Sequence, residues 1–225
     1  MFMTRGIMCL GLLALCPIAQ GSIAFSFADP IGGRQLTNIA NGGGPGIGRL
    51  SYSATTPIVF IIDAGVEGTT SYPNARLEFN NMDLGAAQTI SIFTMAPVTG
   101  SFTVYDFSGG IRTNIVTGTA NQAGAFMRVG DTSSMMFSSG NGFFYTAGPA
   151  LVPLMGGLAL GGLQEATFTI TDILTQGGLP VIGAGGVFND FVANTSYSGN
   201  TGTVPAPGSL ALMVLGAGMS FRRRR

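Results

Sequence analysis

The chain has 225 residues, of which 36 are glycine, with a charged fraction of only 9% and a mean hydropathy of +0.43. All ten basic residues are arginine, there is no His or Trp, and both cysteines, Cys9 and Cys16, stand close to the N-terminus. A Ser-His-Asp or Cys-His nucleophile, a lysine Schiff base, a lysine-bearing phosphate loop and a Cys/His zinc site are therefore excluded.

Arg5 precedes an apolar run over residues 7–18, and small and polar residues come after it from Ala19. A positive start, an apolar core and a small-residue zone make a secretory signal peptide. The run is shorter than the ~20 residues that span a bilayer. Small residues at −3 and −1 fit cleavage after Gly21, Ala24 or Ala28, and the boundary is set after Ala24, so that residues 1–24 form the signal peptide. Leu15 stands before Cys16 where a lipoprotein signal has a small residue, so Cys16 reads as part of the discarded segment.

Beyond it the pattern is period two. Ile23, Phe25 and Phe27 alternate with Ala24, Ser26 and Ala28, the signature of a strand. Residues 38–48 are glycine-rich and read as a flexible loop, without a dinucleotide fingerprint in any register. The continuous apolar run 58–62 reads as a strand buried on both faces, and Ala75, Leu77 and Phe79 against Arg76, Glu78 and Asn80 as a half-buried one. Asn80, Asn81 and Asp83 then read as a turn. With Glu78 they are also the nearest approach to an oxygen-only calcium site, although no EF-hand loop is present.

Further strands are expected over 88–94, 102–107, 125–129, 142–146, 166–173 and 187–192, with Thr-rich and aromatic composition and Gly, Asn, Ser and Pro between them. Residues 149–163 are apolar enough for a helix, but Pro153 and two glycine pairs favour a covered connection, with a buried strand as a further option. Leu179, Pro180 and Gly183 come near a Gram-positive sortase signal but lack its threonine and stand far from the apolar tail. The polar, glycine-containing segment 194–203 reads as a linker. Nine or ten short strands with no amphipathic helix give an all-β fold, a β-sandwich of jelly-roll type over residues 25–193.

Residues 204–225 begin with Val204, Pro205, Ala206 and Pro207, continue as an apolar stretch over 209–221, and close on Arg222, Arg223, Arg224 and Arg225. Prolines stop the preceding fold, and terminal arginines resist translocation and stay cytoplasmic. This three-part tail resembles the PEP-CTERM sorting signal of Gram-negative bacteria, with Ala206 where that family typically has glutamate. The resemblance implies recognition by an exosortase, cleavage near Pro205 to Pro207, passage through the inner membrane, and delivery to a cell surface or matrix rich in exopolysaccharide. An unprocessed stop-transfer anchor is the competing reading.

Without 1–24 and 205–225 the chain keeps ten acids and five arginines, a net charge of −5, and no cysteine. That balance disfavours nucleic acid, and stability must come from packing and sheet hydrogen bonds. The acids, Asp29, Asp63, Glu67, Glu78, Asp83, Asp106, Asp131, Glu165, Asp172 and Asp190, are scattered singly and read as surface charge. No catalytic residue, metal ligand or cofactor is assigned. Three functions stay open: a structural surface protein, a carbohydrate-binding or adhesive module using Tyr52, Tyr72, Tyr105, Tyr145 and Tyr197, and a carboxylate-only hydrolase. Tyrosines lining an exposed sheet face would favour the second, and two acids converging in a cleft the third.

Overall fold

The computed structural model describes residues 21–28, 30, 33–64, 68–121, 125–130, 133–138 and 142–205. Residues 1–20 of the expected signal peptide 1–24, and the tail from Ala206, lie outside them. Among the described residues are thirteen strands: β1 Ser22–Phe27, β2 Leu36–Gly44, β3 Ile47–Tyr52, β4 Ile58–Asp63, β5 Thr69–Leu84, β6 Gln88–Ile90, β7 Phe93–Asp106, β8 Thr113–Ala120, β9 Ala125–Val129, β10 Ser134–Ser138, β11 Phe143–Ala147, β12 Leu158–Thr175 and β13 Phe191–Pro205. Helical geometry among these residues is confined to 3-10 turns of three or four residues. The fold is all-β, as the period-two pattern requires.

The strands pair antiparallel, and the pairings close on themselves: β1 with β4, β4 with β5, β5 with β7, β7 with β9, β9 with β10, β10 with β12, β12 with β13, and β13 back to β1. β2 and β3 form a hairpin between β13 and β5, while β8 and β11 extend the sheet beyond β7. Four strands are far longer than expected, with β5, β7, β12 and β13 running for 14 to 18 residues and changing partners along their length. Such strands turn corners between layers, which gives a sandwich-like body without a free edge around its main circuit.

Aromatic rings fill the interior. Phe102 on β7 meets Phe168 on β12 at 5.0 Å and Tyr197 on β13 at 5.3 Å between centroids, although β7 pairs with neither strand. These contacts therefore cross from layer to layer. Phe25, Phe60 and Phe102 are at most 1% exposed. Rings at these separations and angles attract one another beyond the area they bury. Two glycines make room for them. A Cβ at Gly118 would strike the rings of Phe102 and Phe143, and one at Gly199 would strike the hydroxyls of Tyr145 and Tyr197.

Several expectations need correction. Residues 38–48 are the β2–β3 hairpin rather than a loop; its glycines lie at the tight end, where Gly44 and Gly46 adopt positive φ. In β4 only Ile58, Phe60 and Ile62 are buried, while Val59 and Ile61 face outward at 50% and 37% exposure. An unbroken apolar run does not report which face is covered, because β-branched residues suit either side of a pleat. Asn80, Asn81 and Asp83 form a bulge inside β5, with Asn81 at φ 49°, and not a turn. Residues 88–94 are broken at Ser91 and Ile92 into β6 and the start of β7. Of 187–192 only the end joins a strand, β13. Residues 149–163 are a 3-10 turn, Val152–Met155, leading into the start of β12.

The segment 194–203, expected as a linker outside a domain ending at residue 193, is the middle of β13, paired to β12 on one side and to β1 on the other. Its inward residues, Thr195, Tyr197, Thr201 and Thr203, are at most 3% exposed. The threonine hydroxyls are satisfied by backbone carbonyls: Thr195 donates to Thr169 O at 3.0 Å and Thr201 to Gly202 O at 3.0 Å. Hydropathy misses such a strand, because its inward face is made of threonine and glycine.

Candidate functional site

The N-terminal end of β1 and the C-terminal end of β13 are antiparallel neighbours, so the chain enters and leaves the fold at one place. The Thr203 backbone N–H donates to the Gly21 carbonyl at 3.0 Å, and the Thr203 hydroxyl donates to the same oxygen at 3.1 Å. One residue further, Val204 lies opposite Ala159 and Pro205 opposite Leu158. A proline fits there because it ends the strand, where its missing N–H interrupts no continuing ladder. Of the expected processing residues, Val204 and Pro205 thus belong to the sheet. Ala206, Pro207, Arg222, Arg223, Arg224 and Arg225 lie outside the described residues. Sequence reasoning misses Thr203, although its period-two spacing from Tyr197 and Thr201 marks the same face of a strand.

Four of the five tyrosines are buried: Tyr52, Tyr105, Tyr145 and Tyr197 are between 3% and 9% exposed. Tyr145 and Tyr197 share a hydrogen bond in the core, and burial pushes both phenols above their ordinary range. Tyr72, partly covered, donates to Ala150 O at 3.3 Å and is raised by the same cause. The phenols of Tyr72, Tyr145 and Tyr197 are engaged within the fold, and no row of tyrosines lines an outer face of the described sheet.

Most charged groups of the sheet have partners. Arg49 on β3 and Asp83 on β5 are register neighbours joined by two bonds, 2.8 and 3.0 Å, and this contact raises the guanidinium. Arg112 reaches Glu78 at 2.7 Å and stacks over Tyr105 at 4.2 Å. The acids nearest to a calcium pattern, Glu78 and Asp83, are thus each held by an arginine. Asp190 accepts from the Ala40 N–H at 2.6 Å, Asp106 from Ser108, and Asp172 from Asn194. Arg128 lies over the Phe93 ring at 4.4 Å.

Two surface hollows of about 300 and 360 Å³ occur among the described residues. The first is lined by Leu174, Thr175, Gln176, Asp190, Phe191 and Val192, and the second by Arg128, Val129, Gly130, Ser133, Ser134 and Thr169. Among the described residues neither brings two carboxylates together, the minimum a glycoside hydrolase requires. No helix among the described residues is long and apolar enough to cross a membrane.

Comparison with protein-family models, with curated proteins and with solved structures finds no match for this chain. Both expected addressing segments adjoin, in sequence, the residues that meet at this junction of Gly21 with Thr203.

Proposed function

We propose that this chain is an exported protein of the bacterial cell surface or extracellular matrix, with a structural rather than catalytic role, sorted through its C-terminal segment. The carrying observation is the junction of Gly21 with Thr203, which brings side by side the two ends of the described fold to which the apolar segments 7–18 and 209–221 are joined in sequence. That arrangement suits a chain held at a membrane by both flanking segments while its body folds outside. A body without cysteine, with an acidic balance and an almost edge-free sheet, suits a harsh exterior where disulfide chemistry is not needed. In this reading the sandwich is of jelly-roll type, supported by the long strands that turn corners between layers. The partners are the secretion machinery, an exosortase-type enzyme acting at Val204 to Pro207, the inner membrane in transit, and exopolysaccharide at the destination.

The carbohydrate-binding alternative loses its best support, because four of the five tyrosines that would stack on sugar rings are buried. The hydrolase alternative finds no pair of acids in either hollow.

The test is the intact mass of the protein recovered from the membrane, the surface and the medium of a Gram-negative producer. Loss of the N-terminal segment together with the residues beyond about Pro205 is expected on surface and released protein. A membrane-held chain that keeps Arg225 would make the tail a plain anchor and overturn the sorting reading.

A further inference from the structure

We infer that signal peptidase cuts the chain between Gly21 and Ser22, so that the mature protein begins with the first residue of β1. The inference rests on the export reading above and narrows it to one bond among three. Small residues at −3 and −1 are satisfied equally by Ala19 with Gly21, by Ser22 with Ala24, and by Ser26 with Ala28. The sequence leaves these open, and the fold distinguishes them.

β1 lies between two strands. Each of its six residues has a partner on β13, from Ser22 opposite Gly202 to Phe27 opposite Tyr197, and residues 24–27 are also paired with β4. Its inward side chains, Ile23, Phe25 and Phe27, are at most 3% exposed. Phe25 touches the rings of Phe60 and Tyr145, and Phe27 those of Tyr52, Phe168 and Tyr197. Cleavage after Ala28 would delete this strand, opening the main circuit and leaving β4 and β13 with bare edges. Cleavage after Ala24 would remove Ile23 from the core and strip residues 200–202 of β13, including the fully buried Thr201, of their β1 partners, leaving them paired to β12 alone.

Among the described residues, cleavage after Gly21 removes no buried side chain. Of the described contacts it gives up the Gly21 carbonyl, which accepts from the Thr203 N–H and hydroxyl; with Gly21 gone, water can take its place. Gly21 is exposed and already outside β1.

The experiment expresses the full chain in a Gram-negative host and reads the N-terminus of the exported protein by intact mass and terminal sequencing. Ser22 is the expected first residue. Ala24→Tyr blocks the second option with a bulky −1 residue at an exposed strand position, and it is expected to leave the Ser22 terminus unchanged. A wild-type terminus at Phe25 or Asp29, or loss of processing in Ala24→Tyr, would overturn the inference while leaving export intact. Exported protein that keeps Met1 would overturn this inference alone, whereas absence of the protein from the exported fraction would overturn the export reading, and this inference with it. Gly21→Tyr provides a check on the structural ground. Any product diverted to begin at Phe25 is expected to be digested at least tenfold faster by a nonspecific protease than the Ser22 form. Equal resistance of the two forms would show that Ser22 to Ala24 are dispensable, and would remove the basis for choosing among the sites.

Discussion

The hydroxyls of Tyr145 on β11 and Tyr197 on β13 lie 2.5 Å apart inside the aromatic core, and Tyr145 also reaches the Glu165 carbonyl at 2.6 Å. A carbonyl oxygen only accepts, so the Tyr145 proton points to Glu165 and the Tyr197 proton points to Tyr145. The relay runs in one direction, and the two tyrosines are therefore not equivalent.

Removing the head of the relay should be cheaper than removing its middle. Tyr197→Phe leaves Tyr145 still donating to Glu165 and should cost about 1 kcal/mol. Tyr145→Phe strands the Tyr197 hydroxyl in an apolar interior and should cost about 1–3 kcal/mol. Urea unfolding of both variants checks the order. A larger loss in Tyr197→Phe would reverse the proton assignment.

The same pair gives the protein an alkaline limit. Burial holds both phenols in the protonated form beyond their ordinary range. Above about pH 10 the unfolded chain releases these protons while the folded chain keeps them, so the unfolded state binds fewer protons and stability falls as pH rises. Below that value the contribution is fully present. The slope should approach about 1.4 kcal/mol per pH unit for each tyrosine. Unfolding free energies measured from pH 8 to 11 should show this decline, and the double variant Tyr145→Phe, Tyr197→Phe should show a shallower one.

Sequence pattern suffices wherever the inward face is aliphatic or aromatic and the outward face is polar. Ile23, Phe25 and Phe27, then Ala75 and Leu77, then Phe168 and Ile170 all face inward as their alternation demands. It fails where inward residues are small or hydroxylated, as in β13, and where glycines build a hairpin, as between β2 and β3. It also fails in β4, where apolar residues occupy both faces. Strand order is beyond its reach, since the β1–β13 pairing joins Ser22 to Gly202 across most of the chain and no local signal encodes such a contact. The candidate site is half legible. The two addressing segments can be read from composition, but the joint between Gly21 and Thr203 arises only from that long-range pairing.

β4 offers a test of which face is covered. Val59→Thr and Ile61→Thr alter the outer face and should change stability by no more than about 0.5 kcal/mol. Ile62→Ala, at a position with no exposed surface, should cost about 2–5 kcal/mol through lost burial and the cavity left behind. Thermal or urea unfolding of the three variants compares them directly. A loss above about 2 kcal/mol at Val59 would mean that the outer face of β4 is covered by something else in the folded protein.

The sharpest distinction between a linker and a strand at 194–203 is tolerance to insertion. A linker absorbs an extra glycine with almost no cost, because loop closure depends only weakly on length. In β13 one residue inserted between Ser196 and Tyr197 shifts the register of the rest of the strand, turning Tyr197, Thr201 and Thr203 outward and their polar neighbours inward. It would also separate Tyr197 from Tyr145 and move Thr203 away from Gly21, breaking the relay and the joined chain ends together. The full chain carrying this insertion should therefore lose cooperative unfolding, with the near-ultraviolet tyrosine signal collapsing to that of the urea-unfolded protein. Insertion of the same glycine at the exposed 3-10 turn Gln176–Gly178 should leave both signals close to wild type. Retained cooperative unfolding after the β13 insertion would show that this segment is not held in register.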